Sequence, residues 1–311
     1  DLATGVVLRH YPLVGSCGRV CVRLCEHACR RQQLEGPVDI KNLKRFAADS
    51  LNYTVEEMFE GAAAQPNEFS PRIAVVGAGP AGLTCAYHLL LKGYKVEVYE
   101  AQRKAGGMAL IGIPQYRLPK GILLEEAKVI EKLGGKFHYG HRLGKDFTID
   151  DLFSEGFNAV FIGVGCSKGM LLGFPEDAQN IEGYSNGLNF LLKVERGVVE
   201  GECPTFSGDF VVVGGGNVAM DCSRSAVRMT DGKVHVIYRR TEEQAPADPA
   251  EIHAAKEEGI EFHFLTAQKR LVVEDGKVVG LECVKLKEGE SEPNGRSKLI
   301  EIPGTEFIIP C

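Results

Sequence analysis

The sequence predicts an α/β protein in which two Rossmann-like units follow a small helical segment. A short apolar run at residues 73–76 is followed by a glycine-rich turn and a helical stretch. The same layout begins again with the run at residues 209–213. Glycine makes up 37 of the 311 residues, which exceeds the usual fraction of about 7%. Because glycine lets a backbone approach a ligand closely, these observations indicate two nucleotide-type units in one chain.

The first unit has the glycine spacing of a dinucleotide-binding turn. Residues 73–76 form an apolar run typical of a buried parallel strand, and Gly77, Gly79 and Gly82 follow it. In such a turn the first glycine permits the tight bend, the second admits a pyrophosphate and the third allows close helix–strand packing. Glu100 ends the next strand, where a carboxylate accepts hydrogen bonds from ribose hydroxyls. The alternative is a glycine-rich turn that serves packing alone.

The second unit has a related loop with a different strand end. Gly214, Gly216 and Ala219 match the spacing G-x-G-x-x-A, and the next strand ends in Arg239 and Arg240. Guanidinium groups bind a 2′-phosphate in a bidentate manner, whereas a carboxylate there would repel it. The second unit is therefore predicted to bind NADP, the alternative being a solvated basic strand end.

Together the two loops predict FAD in the first unit and NADPH in the second. Hydride transfer between these cofactors needs no protein acid or base, so no catalytic residue is nominated. The histidines show no paired constellation and are each expected to be a surface or packing residue. They are His10, His27, His88, His138, His141, His235, His253 and His263.

Four of the ten cysteines lie within a stretch of thirteen residues: Cys17, Cys21, Cys25 and Cys29. Short cysteine runs are typical of iron–sulfur clusters, whereas zinc sites more often use two separated pairs. Zinc and inert thiols remain the alternatives. On one continuous helix the four would form a stripe of about 18 Å, too long for one small cluster. Either the helix is interrupted or the cysteines serve two clusters.

Charge and hydropathy exclude some partners. The net charge of −6 gives no basic footprint for nucleic acid. No apolar run reaches the length of about 18 residues that a membrane helix needs. No secretory signal is visible, so a cytoplasmic location is expected. Because the chain starts at Asp1 and ends just after a strand-like run, we expect it to be part of a longer protein.

Several motifs resemble those of the glutamate synthase small-subunit family. The cysteine run, with Gly36-Pro37 and residues 43–46, is similar to the family's cluster domain. The two glycine loops, with the motifs at residues 106–108, 112–114 and 117–120, are similar to its flavin and NADPH domains. The family includes the N-terminal half of dihydropyrimidine dehydrogenase and the large subunit of NADH-dependent ferredoxin:NADP oxidoreductase.

The resemblance implies FAD, NADPH and [4Fe-4S] clusters as cofactors. Besides Gly77, which the loop pattern nominates, it implies FAD contacts at Gly79, Pro80, Ala81, Gly82, Glu100, Gly107, Met108, Arg117 and Leu143. Besides Gly214, it implies NADPH contacts at Gly215, Gly216, Asn217, Val218, Arg239 and Arg240. The implied cluster ligands are Cys17, Cys21, Cys25 and Cys29. Cys17 is the least secure of the four, because not every member of the family uses that position as a ligand. Some members instead add a Gln or Glu ligand where this chain has Lys44 and Arg45, which cannot ligate iron while protonated. The fourth ligand is therefore open, with Asn42 as a weak candidate.

The predicted domains are an iron–sulfur domain with linker at residues 1–71, the first part of an FAD domain at 72–185, and an NAD(P)H domain at 186–305. Within the first of these, residues 52–71 are predicted to form a second short helical piece followed by the linker. Residues from about 260 to 309 alternate in the manner of antiparallel strands, with a turn predicted at Asp275 and Gly276. Residues 306–311 are predicted to start a return to the FAD domain. In the family a further segment closes that domain, so the resemblance implies an incomplete FAD site in this chain.

The predicted function is that of an NAD(P)H-dependent flavoprotein subunit for electron transfer. Hydride would go from NADPH to FAD, and electrons would pass through clusters to a catalytic partner subunit or ferredoxin in a hetero-oligomeric complex. Two alternatives remain open: the glutamate synthase small subunit proper, and a non-catalytic wiring or assembly module. A disulfide reductase is disfavoured, because the sequence lacks a C-x-x-C pair.

Overall fold

The structure is a computed structural model that describes residues 2–51, 64–169, 172–174, 181–291 and 297–311. The chain divides into two compact units, Asp1–Ser167 and Lys168–Cys311. The short helical piece predicted after residue 51 lies largely outside the described residues. Within those ranges, no helix is both long and apolar enough to cross a lipid bilayer.

The first unit opens with short helices, as the sequence predicts. They are α1 (Leu2–Leu8), α2 (Val14–Val20), α3 (Leu24–His27) and α4 (Ile40–Asp49), with a 3-10 turn at Arg30–Gln33 between α3 and α4. Helix α4 begins where it does because the Asp39 side chain caps it by accepting a hydrogen bond from the Asn42 N–H.

A parallel sheet forms the centre of the first unit. Its strands are β1 (Arg72–Val76), β2 (Lys95–Glu100), β3 (Lys136–Tyr139) and β4 (Ala159–Ile162), in the order β3-β2-β1-β4. Its helices are α5 (Pro80–Leu91), α6 (Gly107–Ile111), α7 (Lys120–Lys132) and α8 (Ile149–Ser154). Fully buried Val75, Leu83, Tyr87 and Leu123 lie in the core where α5 and α7 meet the sheet.

The N-terminal helices pack directly onto α5 and α7. The buried Tyr87 hydroxyl donates to the Leu8 carbonyl at 2.7 Å. The Glu126 carboxylate on α7 accepts from the Gly15 N–H at 2.6 Å and from the Ser16 hydroxyl at 2.5 Å. The helices that carry the cysteine run therefore share one packed unit with the first nucleotide-type fold.

The second unit repeats the strand–turn–helix layout and adds an antiparallel sheet. Its parallel sheet has the order β5-β6-β7, from β5 (Phe210–Val213), β6 (Val234–Ile237) and β7 (Glu261–His263). Its helices are α9 (Gly187–Glu200), α10 (Asn217–Ala226) and α11 (Pro249–Glu257). The antiparallel strands are β8 (Thr266–Glu274), β9 (Lys277–Ser291), β10 (Ser297–Glu301) and β11 (Phe307–Pro310).

Strands β8 and β9 form the hairpin that the sequence predicts around Asp275 and Gly276, both of which have positive φ. Strand β11 pairs with β9 inside the second unit. The predicted fold class, with two parallel nucleotide-type sheets after a helical segment, is confirmed. The predicted domain boundaries stay predictions.

An ion-pair network joins α10 to the end of α11, and it makes the stability of the second unit depend on pH. Glu258 contacts Arg224 and Arg228, each at 2.7 Å. Burial raises the pKa of Glu258, but hydrogen bonds from the two guanidinium groups outweigh it and lower the pKa to about 2. Since the folded pKa lies below the unfolded one, the pair stabilises the fold above about pH 4.5 and loses that effect as pH falls toward 2.

We expect Glu258→Gln to lower the free energy of unfolding by about 2 kcal/mol at pH 7, after allowance for partial exposure. That corresponds to a drop of about 5 °C in the thermal midpoint, and the drop should shrink by roughly half at pH 3. Glu257→Gln, at the exposed neighbouring position, should change little at either pH. An equal loss for Glu258→Gln at both pH values would show that the network is not the cause.

Candidate nucleotide and cluster sites

The first and third glycines of the first loop are required by close contacts. Gly77 has a φ of +104°, and a Cβ there would lie 2.4 Å from the Gly163 carbonyl oxygen beyond β4. A Cβ on Gly82 would lie 1.8 Å from the carbonyl oxygen of Gly77 itself. Any side chain at these positions would force the turn away from the sheet, so the loop follows the predicted template.

The middle glycine faces open space at the start of α5. Gly79 is the N-cap, Pro80 is the first helical residue, and both Pro80 and Ala81 are exposed. A Cβ on Gly79 would meet only the Gly107 Cα, at 3.8 Å, while a Cβ on Gly107 would lie 2.8 Å from the Gly79 Cα. Two side-chain-free backbones therefore adjoin at a helix N-terminus, a cradle that fits the pyrophosphate of a dinucleotide.

Glu100 is buried at the end of β2 and holds the loop in place. Its Oε2 accepts from the Ala78 N–H at 2.7 Å, and its Oε1 accepts from the Gln102 N–H at 2.8 Å. Each carboxylate oxygen can accept a second hydrogen bond. The predicted ribose contact stays a prediction, and Glu100 has a loop-anchoring role that the sequence did not indicate.

A buried lysine fixes the segment that carries Met108. The Lys120 ammonium, only 8% exposed, donates to the Ile113 carbonyl and lies 3.5 Å from the Ala109 carbonyl oxygen. It thereby satisfies carbonyl groups at the C-terminal end of α6. Lys120 belongs to the motif at residues 117–120, but the sequence alone does not predict its role. The feature that could have indicated it is a lysine at the first position of a helix, directly after Pro119.

Two further residues nominated for FAD lie away from the glycine loop in sequence. Arg117 is half-buried in the turn between α6 and α7, where its N–H donates to the Pro114 carbonyl. Leu143 is half-buried after β3 and packs beside the cluster that contains Tyr99 and Phe157. Both positions stay predictions, and Leu143 also serves the core of the first sheet.

The second loop repeats the geometry of the first. Gly214 has a φ of +145°, and Gly216 is the N-cap of α10. A Cβ on Gly215 would lie 2.5 Å from the ring of Tyr238. The Asn217 side chain accepts from the Asp248 N–H at 2.9 Å, while Val218 is 58% exposed at the helix start.

The two arginines after β6 differ in their surroundings. Arg239 is exposed. Arg240 is half-buried, and its Nη1 donates to the Ser297 carbonyl at 3.3 Å. Of the two, Arg239 has the side chain more open to a phosphate, a distinction that the sequence does not contain.

The cysteine run is not one continuous helix. Cys17 lies in α2, and Cys21 follows it with an extended ψ of 134°. Arg23 then adopts a left-handed φ of 60° before α3, which carries Cys25. Cys29 is again extended, with a ψ of 123°. Of the two predicted explanations, the interrupted helix is confirmed, so the four cysteines need not form an extended stripe.

Comparison with known proteins decides the family. The sequence profile described as pyridine nucleotide-disulphide oxidoreductase matches residues 71–302. The chain belongs to the pyridine nucleotide-disulphide oxidoreductase family. A second profile, for the 4Fe-4S cluster domain II of dihydropyrimidine dehydrogenase, matches residues 1–55. The family and its added N-terminal domain confirm the predicted class of enzyme and its cofactors: FAD, NADP and a 4Fe-4S cluster.

Similar members of this family are subunits of larger oxidoreductases. The NADP(+)-dependent formate dehydrogenase subunit beta of Moorella thermoacetica is 39% identical over 98% of this chain and 45% of its own length. The NADPH-Fe(3+) oxidoreductase subunit beta of Geobacter sulfurreducens is 37% identical over 100% and 46%. The glutamate synthase [NADPH] small chain of Escherichia coli is 35% identical over 95% and 63%. The chain thus spans about half the length of the first two, and the predicted resemblance is confirmed.

A solved member of the same fold is FprA from Mycobacterium tuberculosis in complex with NADPH. It matches with a TM-score of 0.62 and 20% identity, covering 78% of this chain and 69% of FprA. At that identity the match shows the shared fold alone, which agrees with the two nucleotide-type sheets.

The donor set of the N-terminal domain of this oxidoreductase fits a cluster better than a single zinc ion. In a tetrahedral zinc site with Zn–S distances of 2.3 Å, the sulfurs lie about 3.8 Å apart. Within the described ranges, no three of the four cysteines bring their sulfurs within 4.8 Å of one another. Four thiolates that each bind a different iron are the ligand set of a four-iron cluster, which needs no such close approach of the sulfurs. Burial raises the pKa of Cys17, whereas backbone hydrogen bonds lower that of Cys29.

Lys44 lies beside the first two cysteines. Burial lowers its pKa, but the nearby Tyr11 side chain and the Cys21 and Cys17 thiols outweigh it, so the net shift is upward. Asn42, the weak candidate for a fourth ligand, uses its side chain to donate to Asp39 at 2.9 Å. The structure thus places Lys44 beside the cysteine run, and the fourth ligand stays open.

The expectation that the histidines are unpaired was wrong for two of them. His235 Nδ1 and His263 Nε2 lie 3.2 Å apart on the neighbouring strands β6 and β7. Sequence reasoning could not find this pair, because twenty-seven residues separate the two and only the strand register brings them together. Each strand contains one feature that could have indicated the pair, namely a histidine within a short strand of the parallel sheet.

Proposed function

We propose that this chain is the NADPH-oxidising, flavin- and cluster-bearing part of an electron-transfer oxidoreductase subunit. The observation that carries this proposal is the packing of the cysteine helices onto the first nucleotide-type fold, through Glu126 and Tyr87. A cluster domain fixed to a flavin fold suits one-electron transfer after hydride transfer. The subunit names of the relatives support delivery of the electrons to a catalytic partner subunit or a ferredoxin.

Bound FAD would accept hydride and the cluster would pass single electrons, which is chemistry that the cofactors supply. The chain's own residues would bind and orient them. Gly79 in the first loop and Gly107 at the start of α6 leave the backbone open to a pyrophosphate. Glu100 holds the first loop against β2. The remaining proposed FAD contacts are Gly77, Pro80, Ala81, Gly82, Met108, Arg117 and Leu143.

The proposed NADPH contacts are Gly214, Gly215, Gly216, Asn217, Val218, Arg239 and Arg240. The exposed start of α10 would face the pyrophosphate, since helix N-termini favour anions. The proposed cluster ligands are Cys17, Cys21, Cys25 and Cys29. These assignments rest on position in the fold, and variants at each set can test them separately.

The selectivity for NADPH should depend on Arg239 more than on Arg240. Arg239→Gln removes an exposed guanidinium that no described neighbour restrains, and we expect NADPH to bind about 30-fold more weakly while NADH is little affected. Arg240→Gln should have a smaller effect, because Arg240 already donates to Ser297. The measurement is the ratio of kcat/KM for NADPH and NADH. The control is Arg270→Gln, since Arg270 pairs with Glu282 on the antiparallel sheet. An unchanged kcat/KM ratio in Arg239→Gln would contradict the assignment of Arg239 to NADPH.

The proposed function predicts a specific absorbance change. The chain, purified without oxygen, should show flavin bands above a broad iron–sulfur shoulder, and NADPH should bleach both. A shoulder that persists while the flavin bands bleach would contradict electron delivery to the cluster. A shoulder without flavin bands would favour the wiring-module alternative instead.

A further inference from the structure

A cluster of potential metal ligands lies on one face of the second parallel sheet. His235 is on β6, and Glu261 and His263 are on the neighbouring strand β7. The parallel register pairs His235 with Glu261 and Ile237 with His263, so all three side chains point to the same face. This face lies opposite the one that packs on α10, because Val234 and Val236 contact that helix's core cluster.

The ligand atoms have the separations of a tetrahedral site. A zinc ion at 2.0–2.1 Å from each ligand holds neighbouring ligand atoms about 3.4 Å apart. His235 Nδ1 lies 3.2 Å from His263 Nε2 and 3.4 Å from Glu261 Oε2, and all three donor atoms lie within 4.8 Å of one another. Two imidazoles and one carboxylate are ligands that divalent transition metals favour.

The surroundings orient these ligands. The second ring nitrogen of His235 lies 3.8 Å from Asp209 Oδ2, so a carboxylate is close to the side of the ring that points away from the other two ligands. Asp209 is itself held by the Lys233 N–H at 2.8 Å. The Lys233 ammonium binds Glu261 Oε1 at 2.8 Å, which leaves Oε2 for the metal.

Positive charge lies close to His263. Burial, then the charge of His235 and of Lys285, lower the pKa of His263, with Glu261 opposing. The two lysines add positive charge, which weakens the binding of any cation but leaves the three donor atoms in place.

We propose that His235, Glu261 and His263 form a binding site for a divalent transition metal of the zinc class, with water completing the coordination. The site is independent of the flavin and cluster sites, and it bridges β6 to β7. Tyr238, whose N–H donates to the His263 carbonyl at 3.0 Å, follows directly after β6 and leads into Arg239. A bound ion would therefore stiffen the strand pair that ends at the proposed NADPH arginines.

The test is zinc binding to the tag-free full chain with its cluster already loaded, so that the four cysteines of the N-terminal run are occupied. Titration calorimetry with zinc chloride should show one site in the wild type. His263→Gln and, separately, the more exposed Glu261→Gln should each weaken that site by about 100-fold. The control is His253→Gln, which disrupts an exposed His–Glu pair on α11 (3.4 Å) and should leave binding unchanged.

A second measurement keeps the proposal testable if one variant folds poorly. Saturating zinc should raise the thermal midpoint of the wild type and of His253→Gln, but not of Glu261→Gln. Cobalt(II) in the same site should lack the strong near-ultraviolet band of thiolate ligation. Zinc binding that is equal in wild type and Glu261→Gln, or a cobalt thiolate band, would overturn the proposal. His235 and His263 would then be joined only by the hydrogen bond between their rings.

Discussion

Gly82→Ala is expected to abolish FAD binding. The added methyl group would start 1.8 Å from the Gly77 carbonyl oxygen, far inside van der Waals contact, and that oxygen belongs to backbone that cannot rotate away. The turn and α5 would have to separate, and we expect the unfolding free energy to fall by about 3 kcal/mol. The measurements are the flavin content of the purified protein and its thermal midpoint.

Gly121→Ala provides the matched control. Gly121 lies in the first turn of α7, and a Cβ there would meet nothing within 4 Å. Alanine is the better helix former, so this variant should keep its flavin and gain up to about 1 kcal/mol. A Gly82→Ala protein that retains full flavin content would show that the loop does not hold the cofactor.

Glu126→Ala is expected to release the cysteine helices while leaving the flavin site intact. The carboxylate accepts hydrogen bonds from the Gly15 N–H, the Ser16 N–H and the Ser16 hydroxyl at the start of α2. Removing it leaves these donors without their acceptor in a part-buried contact, at a cost of about 3 kcal/mol. We expect low iron and sulfide content, rapid proteolysis between α1 and α3, and normal flavin content.

The adjacent Glu125→Ala separates this effect from the general loss of a carboxylate. Glu125 is exposed on the same helix and pairs only at the surface with Lys128, at 2.6 Å. Such a pair contributes little, so this variant should keep both cofactors. If Glu126→Ala loses flavin and iron together, the two sites fold as one, and Glu126 does not act on the cluster segment alone.

The features that the sequence predicts well are those that depend on local spacing. Gly77 and Gly82 are recognisable because a tight turn and a close helix–strand contact both require glycine at fixed positions after a strand. The β8–β9 hairpin is recognisable for a similar reason, since Asp275 and Gly276 both adopt positive φ. Each of these predictions uses residues that are close together in the chain.

The features that the sequence does not predict join residues far apart in the chain. Glu126 meets Gly15 across 111 positions, and Glu100 meets Ala78 across 22. Neither contact has a spacing rule, because packing between elements determines it. The break at Arg23 is a different case, since no glycine marks a left-handed residue there.

The packing of α1 and α2 also has a consequence for the order of events during biosynthesis. Leu8 bonds to Tyr87, 79 positions later, and Gly15 to Glu126, 111 positions later. A ribosome makes the N-terminal segment first, yet its partners emerge only after most of the first unit has been translated. Nascent chains therefore hold the cysteine segment undocked throughout that interval. We expect cluster insertion to follow synthesis of α7, so the cysteine segment, although translated before the rest of its unit, is among the last parts of that unit to mature.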